Sequence, residues 1–207
     1  MLKNILYFIA SIIVFILGMV IYGIILNARE PSLPEAMVSK GLRYLVNVSI
    51  QIDRKKYTLD LYSDTILVKS YHVVFGRNSS AHKTYTNDDA TPVGRYEICG
   101  IYAEYKYHKL LRLNYPNKKD ASEALQMKFI SKNDYDKIID AIESGNCPPV
   151  IKADLVIGIQ GIGKLDFIFK NLPFVYNWTN GSIAVCNEDI DEIYSATSIG
   201  TEVVIKN

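Results

Sequence analysis

At 207 residues and a formal net charge of +1, the chain has room for one domain of ordinary size and too little charge imbalance to attract nucleic acid through a long-range field. Hydrophobic residues at 49% and charged residues at 22% exclude a disordered or low-complexity polymer. Three cysteines (Cys99, Cys147, Cys186) and three histidines (His72, His82, His108) form neither a C-x-x-C pair nor an H-E-x-x-H helix, so neither a structural metal nor a cofactor is expected. One disulfide is compatible with an oxidising compartment, and sequence does not choose its pair.

Ile5 to Leu26 runs about 22 residues without a charge, and at about 1.5 Å rise per residue reaches roughly 33 Å, the thickness of a bilayer core. Residues 1–27 are therefore expected to form an uncleaved transmembrane anchor. A cleaved signal peptide competes, but its apolar region is about 7–15 residues, and I-I-L-N-A-R-E is a poor cleavage site. Lys3 on one side against Arg29 and Glu30 on the other leaves the orientation weakly specified. Residues 28–42, with Pro31 and Pro34, read as a linker, and the folded domain is expected over 43–207.

Asn47 to Asp53 and Lys56 to Ser63 alternate apolar and polar residues around a turn at Asp53 to Lys55, predicting a hairpin. Ile66 to Phe75 adds a third strand. A polar loop over 77–89 leads to T-P-V-G-R-Y-E-I (Thr91–Ile98), a proline-gated entry to another strand. Ser131 as N-cap, Asp134, and apolar residues at Tyr135, Ile138, Ile139 and Ile142 predict an amphipathic helix over 131–144, stopped by Gly145. Leu155 to Ile159 reads as a buried strand, Asn187 to Ala196 as a short helix, and Glu202 to Ile205 as a closing strand. The sum is a mainly β (α+β) domain with one or two flanking helices.

Four blocks in this order carry a resemblance: the opening strands ending F-G, then T-P-V-G-R-Y-E-I, then Y-H-K-L-L-R-L-N-Y-P-N (Tyr107–Asn117), and finally I-G-I-Q-G-I-G with W-T-N-G-S-I-A-V-C-N-E-D-I-D-E-I-Y (Trp178–Tyr194). Together they resemble the L,D-transpeptidases, or YkuD-domain proteins, and look closest to the branch related to the YafK proteins. The resemblance spans about Val46 to Lys206 and implies an L,D-transpeptidase-like β-sandwich or barrel. It also implies a bacterial cell-wall setting: a single-pass protein of the inner (cytoplasmic) membrane with its domain on the extracytoplasmic side. The implied partners are peptidoglycan stem peptides or cell-wall synthesis proteins.

In that family a cysteine in a T/S-x-G-C segment attacks a stem-peptide carbonyl. A histidine in an I-H-G motif serves as base, and backbone N–H groups around the G-C turn hold the oxyanion. Carried onto this chain, the cysteine position is Ser182 and the histidine position is Gln160, with Gly161, Asn180 and Gly181 expected to line the substrate side. A serine hydroxyl is a poor nucleophile without a base, and the Gln160 amide has no basic nitrogen. The family chemistry is therefore expected to be impaired, and the reading leans to a binding or regulatory pseudoenzyme. The alternative is an active, divergent acyltransferase or carboxypeptidase using Ser182 or Cys186.

Each candidate rescue has a plainer reading. Cys186 reads as a helix-start residue, His108 as a hydrogen-bonded structural histidine rather than a substitute base, and Lys164 as a residue outside any Ser/Lys dyad. Gly158 to Lys164 fits G-x-x-x-x-G-K, but Leu165 replaces the Ser/Thr that would bind magnesium, so nucleotide binding is set aside. The aromatics, Trp178 included, read as core and cross-strand pairs before a sugar-stacking surface.

Overall fold

The computed structural model describes residues 2–27, 30–79, 83, 89–151, 156–171 and 176–207. The uncharged N-terminal run forms helix α1 (Leu2–Asn27). Its Leu2–Ile25 portion is apolar enough to cross a bilayer, with a mean hydropathy of 2.8 and only 6% burial in its most apolar stretch. Such a helix suits a membrane span or a signal sequence. The segment expected to be a tether contains a short helix, α2 (Leu33–Ser39), at whose start the Glu35 carboxylate accepts from the Ser32 N–H and hydroxyl, both at 2.8 Å. Leu33 and Ala36 are buried, so part of this segment is docked on the domain.

Strands β1 (Val48–Asp53), β2 (Thr58–Ser63) and β3 (Ile66–His72) form the antiparallel meander that the alternation predicts. Ile50, Ile52, Leu59 and Leu61 are wholly buried, and the residues between them face outward. The β1–β2 turn falls at residues 54–57, where the Asp53 carboxylate accepts from the N–H groups of Lys55 at 3.1 Å and Lys56 at 3.0 Å. β4 (Gly94–Tyr105) and β5 (His108–Leu113) make a second hairpin. β6 (Gly158–Gln160), β7 (Ile183–Ala184) and β8 (Glu202–Lys206) complete one eight-stranded sheet in the order β3-β2-β1-β8-β4-β5-β6-β7. β8 is parallel to β1 and antiparallel to β4, while β6 and β7 are parallel. Leu155, placed by the sequence in the strand that becomes β6, lies outside the described residues.

The sheet curls into a half-barrel, and its two ends meet. Val74, just past β3, and Ala184 of β7 exchange both backbone hydrogen bonds at 2.9 Å, so the last strand is pinned to the chain leaving the first. Between β5 and β6 stand α3 (Lys118–Gln126) and α4 (Lys132–Glu143), which pack on each other. Ser131 caps α4 as expected, its hydroxyl accepting from the Asp134 N–H at 3.1 Å. Cys99 of β4 and Cys147, beyond α4, form a disulfide that ties this arm to the sheet. After β6 come a 3-10 turn (Gly163–Leu165) and α5 (Asp166–Lys170); α6 (Asn187–Ala196) follows β7 and buries Ile190 and Ile193. The core gathers the inward side chains of β1, β2, β4, β5 and β8 with Ile138 of α4 and the two α6 isoleucines.

Candidate functional site

The turn Thr179–Ser182 is built from its own side chains. The Thr179 hydroxyl accepts from the Gly181 N–H at 3.2 Å and donates to the Ser182 carbonyl at 2.5 Å. Gly181 sits at φ +114°, where a Cβ would lie 2.5 Å from the Ala90 carbonyl oxygen, so glycine is demanded by both conformation and space. Residues before β4 roof the turn. Arg77 donates to the Asn180 side chain at 2.8 Å and pairs with Asp89 at 3.2 Å, while the Gly76 N–H donates to the Thr91 hydroxyl at 3.0 Å. Lys83 Nζ, donating to the Ala90 carbonyl at 2.9 Å, stands beside the Gly181 turn.

Ser182 lies beside Gly158, and Gln160 stands two residues further along β6. In the parallel β6–β7 register Gln160 is opposite Ala184 and Ile159 opposite Ile183, so Ser182 and Gln160 share one face of adjacent strands. Both are buried. The Ser182 hydroxyl donates to the Val156 carbonyl at 3.2 Å and accepts from the Gly158 N–H at 3.3 Å.

Other sequence candidates stand elsewhere. His108 Nε2 lies 2.7 Å from the Asp191 carboxylate on α6, which also takes Lys109 Nζ at 2.7 Å; the imidazole thus belongs to a surface ion cluster. Lys164 is exposed on the 3-10 turn. Gly161 is pressed against the Tyr107 carbonyl and the Asn187 side chain. The glycine loop that mimics a phosphate cradle is closed on the chain itself. The Gly163 N–H donates to Asn187 Oδ1 at 2.9 Å, Asn187 Nδ2 donates to the Gly163 carbonyl at 3.0 Å, and Asp166 accepts from the Asn187 N–H at 2.8 Å. Asp166 thereby caps α6.

Further along the chain from Ser182 lies a cavity of about 500 Å³ that Ala184, Val185 and Cys186 line but neither Ser182 nor Gln160 does. Ala184 and Cys186 form its floor, with Tyr57, Trp178, Phe169 and residues Glu30 to Ser32 around it. Cys186 is a free thiol at the N-cap of α6. Burial pushes its pKa up to about 12, with Asp189 and Asp166 adding to the effect. Lys69 of β3, its side chain nearly buried, reaches Glu192 at 2.5 Å and Asp189 at 3.9 Å. Burial raises Asp189 to about 6; Lys69 opposes the rise, and Glu30 and Glu192 reinforce it. Trp178 is held edge-on by Tyr107 at 5.2 Å between centroids and flanked by Phe169 at 6.0 Å.

The family model of the L,D-transpeptidase catalytic domain, YkuD, matches residues 47–205. The chain belongs to the L,D-transpeptidase (YkuD) family. Its half-barrel with flanking helices is the L,D-transpeptidase-like fold. Similar solved structures include the L,D-transpeptidase from Xylanimonas cellulosilytica, at 12% identity and TM-score 0.41, covering 83% of this chain and 68% of that one. Bd1075 of Bdellovibrio bacteriovorus gives 16% identity and TM-score 0.49, covering 78% of this chain and 48% of that one. A variant of the helical cell shape determining protein Pgp2 from Campylobacter jejuni gives 14% and 0.46, covering 80% and 48%. Against these three the chain spans between 48% and 68% of the neighbour's length. No curated protein sequence matches the chain.

Within this YkuD domain, some contributors carry weak sequence signals. Thr179 occupies the T/S of the family segment, which marks it as a turn former. Lys69, Asp189 and Glu192 lie far apart in sequence and show only as polar residues of a strand and a helix. Arg77 and Asp89 fall in what reads as a polar loop.

Proposed function

We propose that the chain is a membrane-anchored YkuD-family protein of the bacterial cell wall that binds peptidoglycan stem peptides, or a wall-synthesis partner, with its catalytic chemistry impaired. Its anchor is α1 and its domain faces the extracytoplasmic side. The observation that carries this reading is the state of Ser182. Its hydroxyl is buried and engaged with two backbone groups, and the residue sharing its face is Gln160, whose amide takes no proton at neutral pH. The Gly181 N–H, a candidate oxyanion donor, is engaged by Thr179. Asn180 and Gly181 belong to the same turn as Ser182, where a stem peptide would meet them, whereas Gly161 is packed against Tyr107 and Asn187.

The alternative, an acyltransferase or carboxypeptidase using Ser182 or Cys186, draws on the place of Cys186 in the cavity floor. A thiol pushed up to about 12 is thiolate in only about one molecule in 10⁵ at neutral pH. That weighs toward the binding reading. Intact-mass spectrometry of the full chain with a carbapenem, and separately with a stem tetrapeptide, tests the choice. The expected result is an unmodified mass and an intact peptide. A covalent adduct mapped to Ser182 or Cys186 would establish the enzyme instead.

A further inference from the structure

The 3-10 turn and α5 present an apolar surface outward. Leu165, Phe167 and Ile168 are 54%, 64% and 55% exposed, and Tyr176 nearby is 56% exposed. The one acid of the segment, Asp166, turns the other way to cap α6 through the Asn187 N–H. Lysines bracket the run at Lys164 and Lys170, the latter paired with Glu188 at 2.5 Å. Aromatic and aliphatic side chains outward, with long cations at both ends, are what a bilayer interface favours.

The position of the patch identifies its occupant. Gly23 of α1 abuts Asn171, the residue after α5: a Cβ on Gly23 would lie 2.4 Å from the Asn171 carbonyl oxygen. Glu30 to Ser32, where the chain leaves α1, share a cavity wall with Phe169, Lys170 and Tyr176. Gly23 stands three residues, about 5 Å, inside the end of the uncharged run at Leu26. Asn171, which touches Gly23, is therefore level with the boundary between headgroups and acyl chains, and the patch ends, at Ile168, three residues before it in the chain. The depth matches the roughly 5–10 Å at which interfacial helices bury their apolar faces.

We infer that the outward face of residues 165–168, with Tyr176, is a second membrane contact that seats the domain directly on the outer surface of the bilayer that α1 crosses. The inference rests on the proposed anchoring of α1. The domain then does not swing on a tether; it is held at two points, α1 and the α5 surface. The cavity floored by Ala184 and Cys186 is fixed within a few residues of the headgroups.

Full-length protein in nanodiscs made with lipids brominated at a shallow acyl position tests this by tryptophan quenching. Trp178 is the single tryptophan of the chain and sets the baseline. Four variants each add one tryptophan at an exposed site: Phe167→Trp and Ile168→Trp on the patch, Phe15→Trp in α1, and Met127→Trp just beyond α3. The expected result is that both patch variants lose most of their added emission, that Phe15→Trp is quenched by lipids brominated deeper, and that Met127→Trp is untouched. Quenching at Phe15→Trp without quenching at either patch position overturns the inference while leaving the anchor intact. No quenching at Phe15→Trp overturns both. Patch positions shielded from lipid in a chain that sediments as a dimer assign the surface to a protein contact and also overturn it.

Discussion

A serine hydroxyl that donates its proton to one carbonyl and accepts from one amide keeps a single lone pair, and no free proton, to offer a substrate. At Ser182 the partners are the Val156 carbonyl and the Gly158 N–H, both parts of the scaffold. The scaffold itself puts positions 160 and 182 on neighbouring segments, offset by two residues along the register, a diagonal pair within reach of longer side chains. Ser182→Cys combined with Gln160→His is therefore expected to give a carbapenem adduct at position 182, measured by intact mass, where the native chain gives none. No adduct from a folded double variant would show that the pocket has diverged along with its reactive groups. Asp189 supports a second expectation. Burial raises it to about 6, so between about pH 4 and pH 6 the folded chain holds a proton that the unfolded chain releases. Stability from this group accordingly rises as pH falls from 7 toward 4, by at most roughly 3 kcal/mol. Asp189→Asn should flatten that slope and raise the unfolding midpoint at pH 7.5 but not at pH 4, with Lys69 still held by Glu192; denaturant titrations at the two pH values decide it. Motif spacing gives 160 and 182 as the family's histidine and cysteine positions, an assignment that the double variant tests. The hydrogen bonds of Ser182 were not legible, because Val156 and Gly158 lie more than twenty positions earlier and sequence order is blind to that contact.

Elements became legible in proportion to their length and punctuation. α4 carries Ser131 and Asp134 at its start and Gly145 after its end, and α6 begins with two acids, so both stand where the pattern places them. α2 and α5, at 7 and 5 residues, are too short to show a helical period, and β7, at 2 residues, is a strand only because Val74 and β6 flank it. α5 illustrates how such a piece is held. It is fastened through Asp166 to the start of α6, and Asn187 bonds the N–H and carbonyl of Gly163. Asn187→Ala removes both Asn187–Gly163 bonds and should cost roughly 1–3 kcal/mol. Hydrogen exchange should show the 3-10 turn and α5 opening more often while β1, β2 and β8 keep their protection. Uniform loss across the sheet would mean that the contact supports the whole fold and not this element.

At the scale of the whole molecule, the domain is a sheet whose ends close on each other, carrying one inserted arm. Among the described residues closure runs through two bridges, Val74 to Ala184 and Gly76 to Thr179, each between residues over a hundred positions apart. The arm, α3 and α4, leaves β5 and returns to β6, and its far end is fixed by Cys147 to Cys99 of β4 and by Arg112 donating to the Pro148 carbonyl. Neither link was visible in sequence: three cysteines allow three pairs, and only the folded β4 brings Cys99 to the end of α4. The disulfide closes a loop with a sequence separation of 48, which in the chain-entropy account restrains the unfolded state by about 4 kcal/mol. A bond of this kind persists in an oxidising compartment, which supports the proposed extracytoplasmic placement. Replacing both cysteines by serine should lower the free energy of unfolding by about 2–4 kcal/mol. Because the crosslink joins arm to sheet, the α3–α4 amides should lose protection before those of β1 and β2, while tryptophan quenching in nanodiscs stays as in the native chain. Equal stabilities for the two forms, with unchanged exchange in the arm, would show that Ala121, Ala124 and Ile138, the arm's own buried side chains, hold it without the bond.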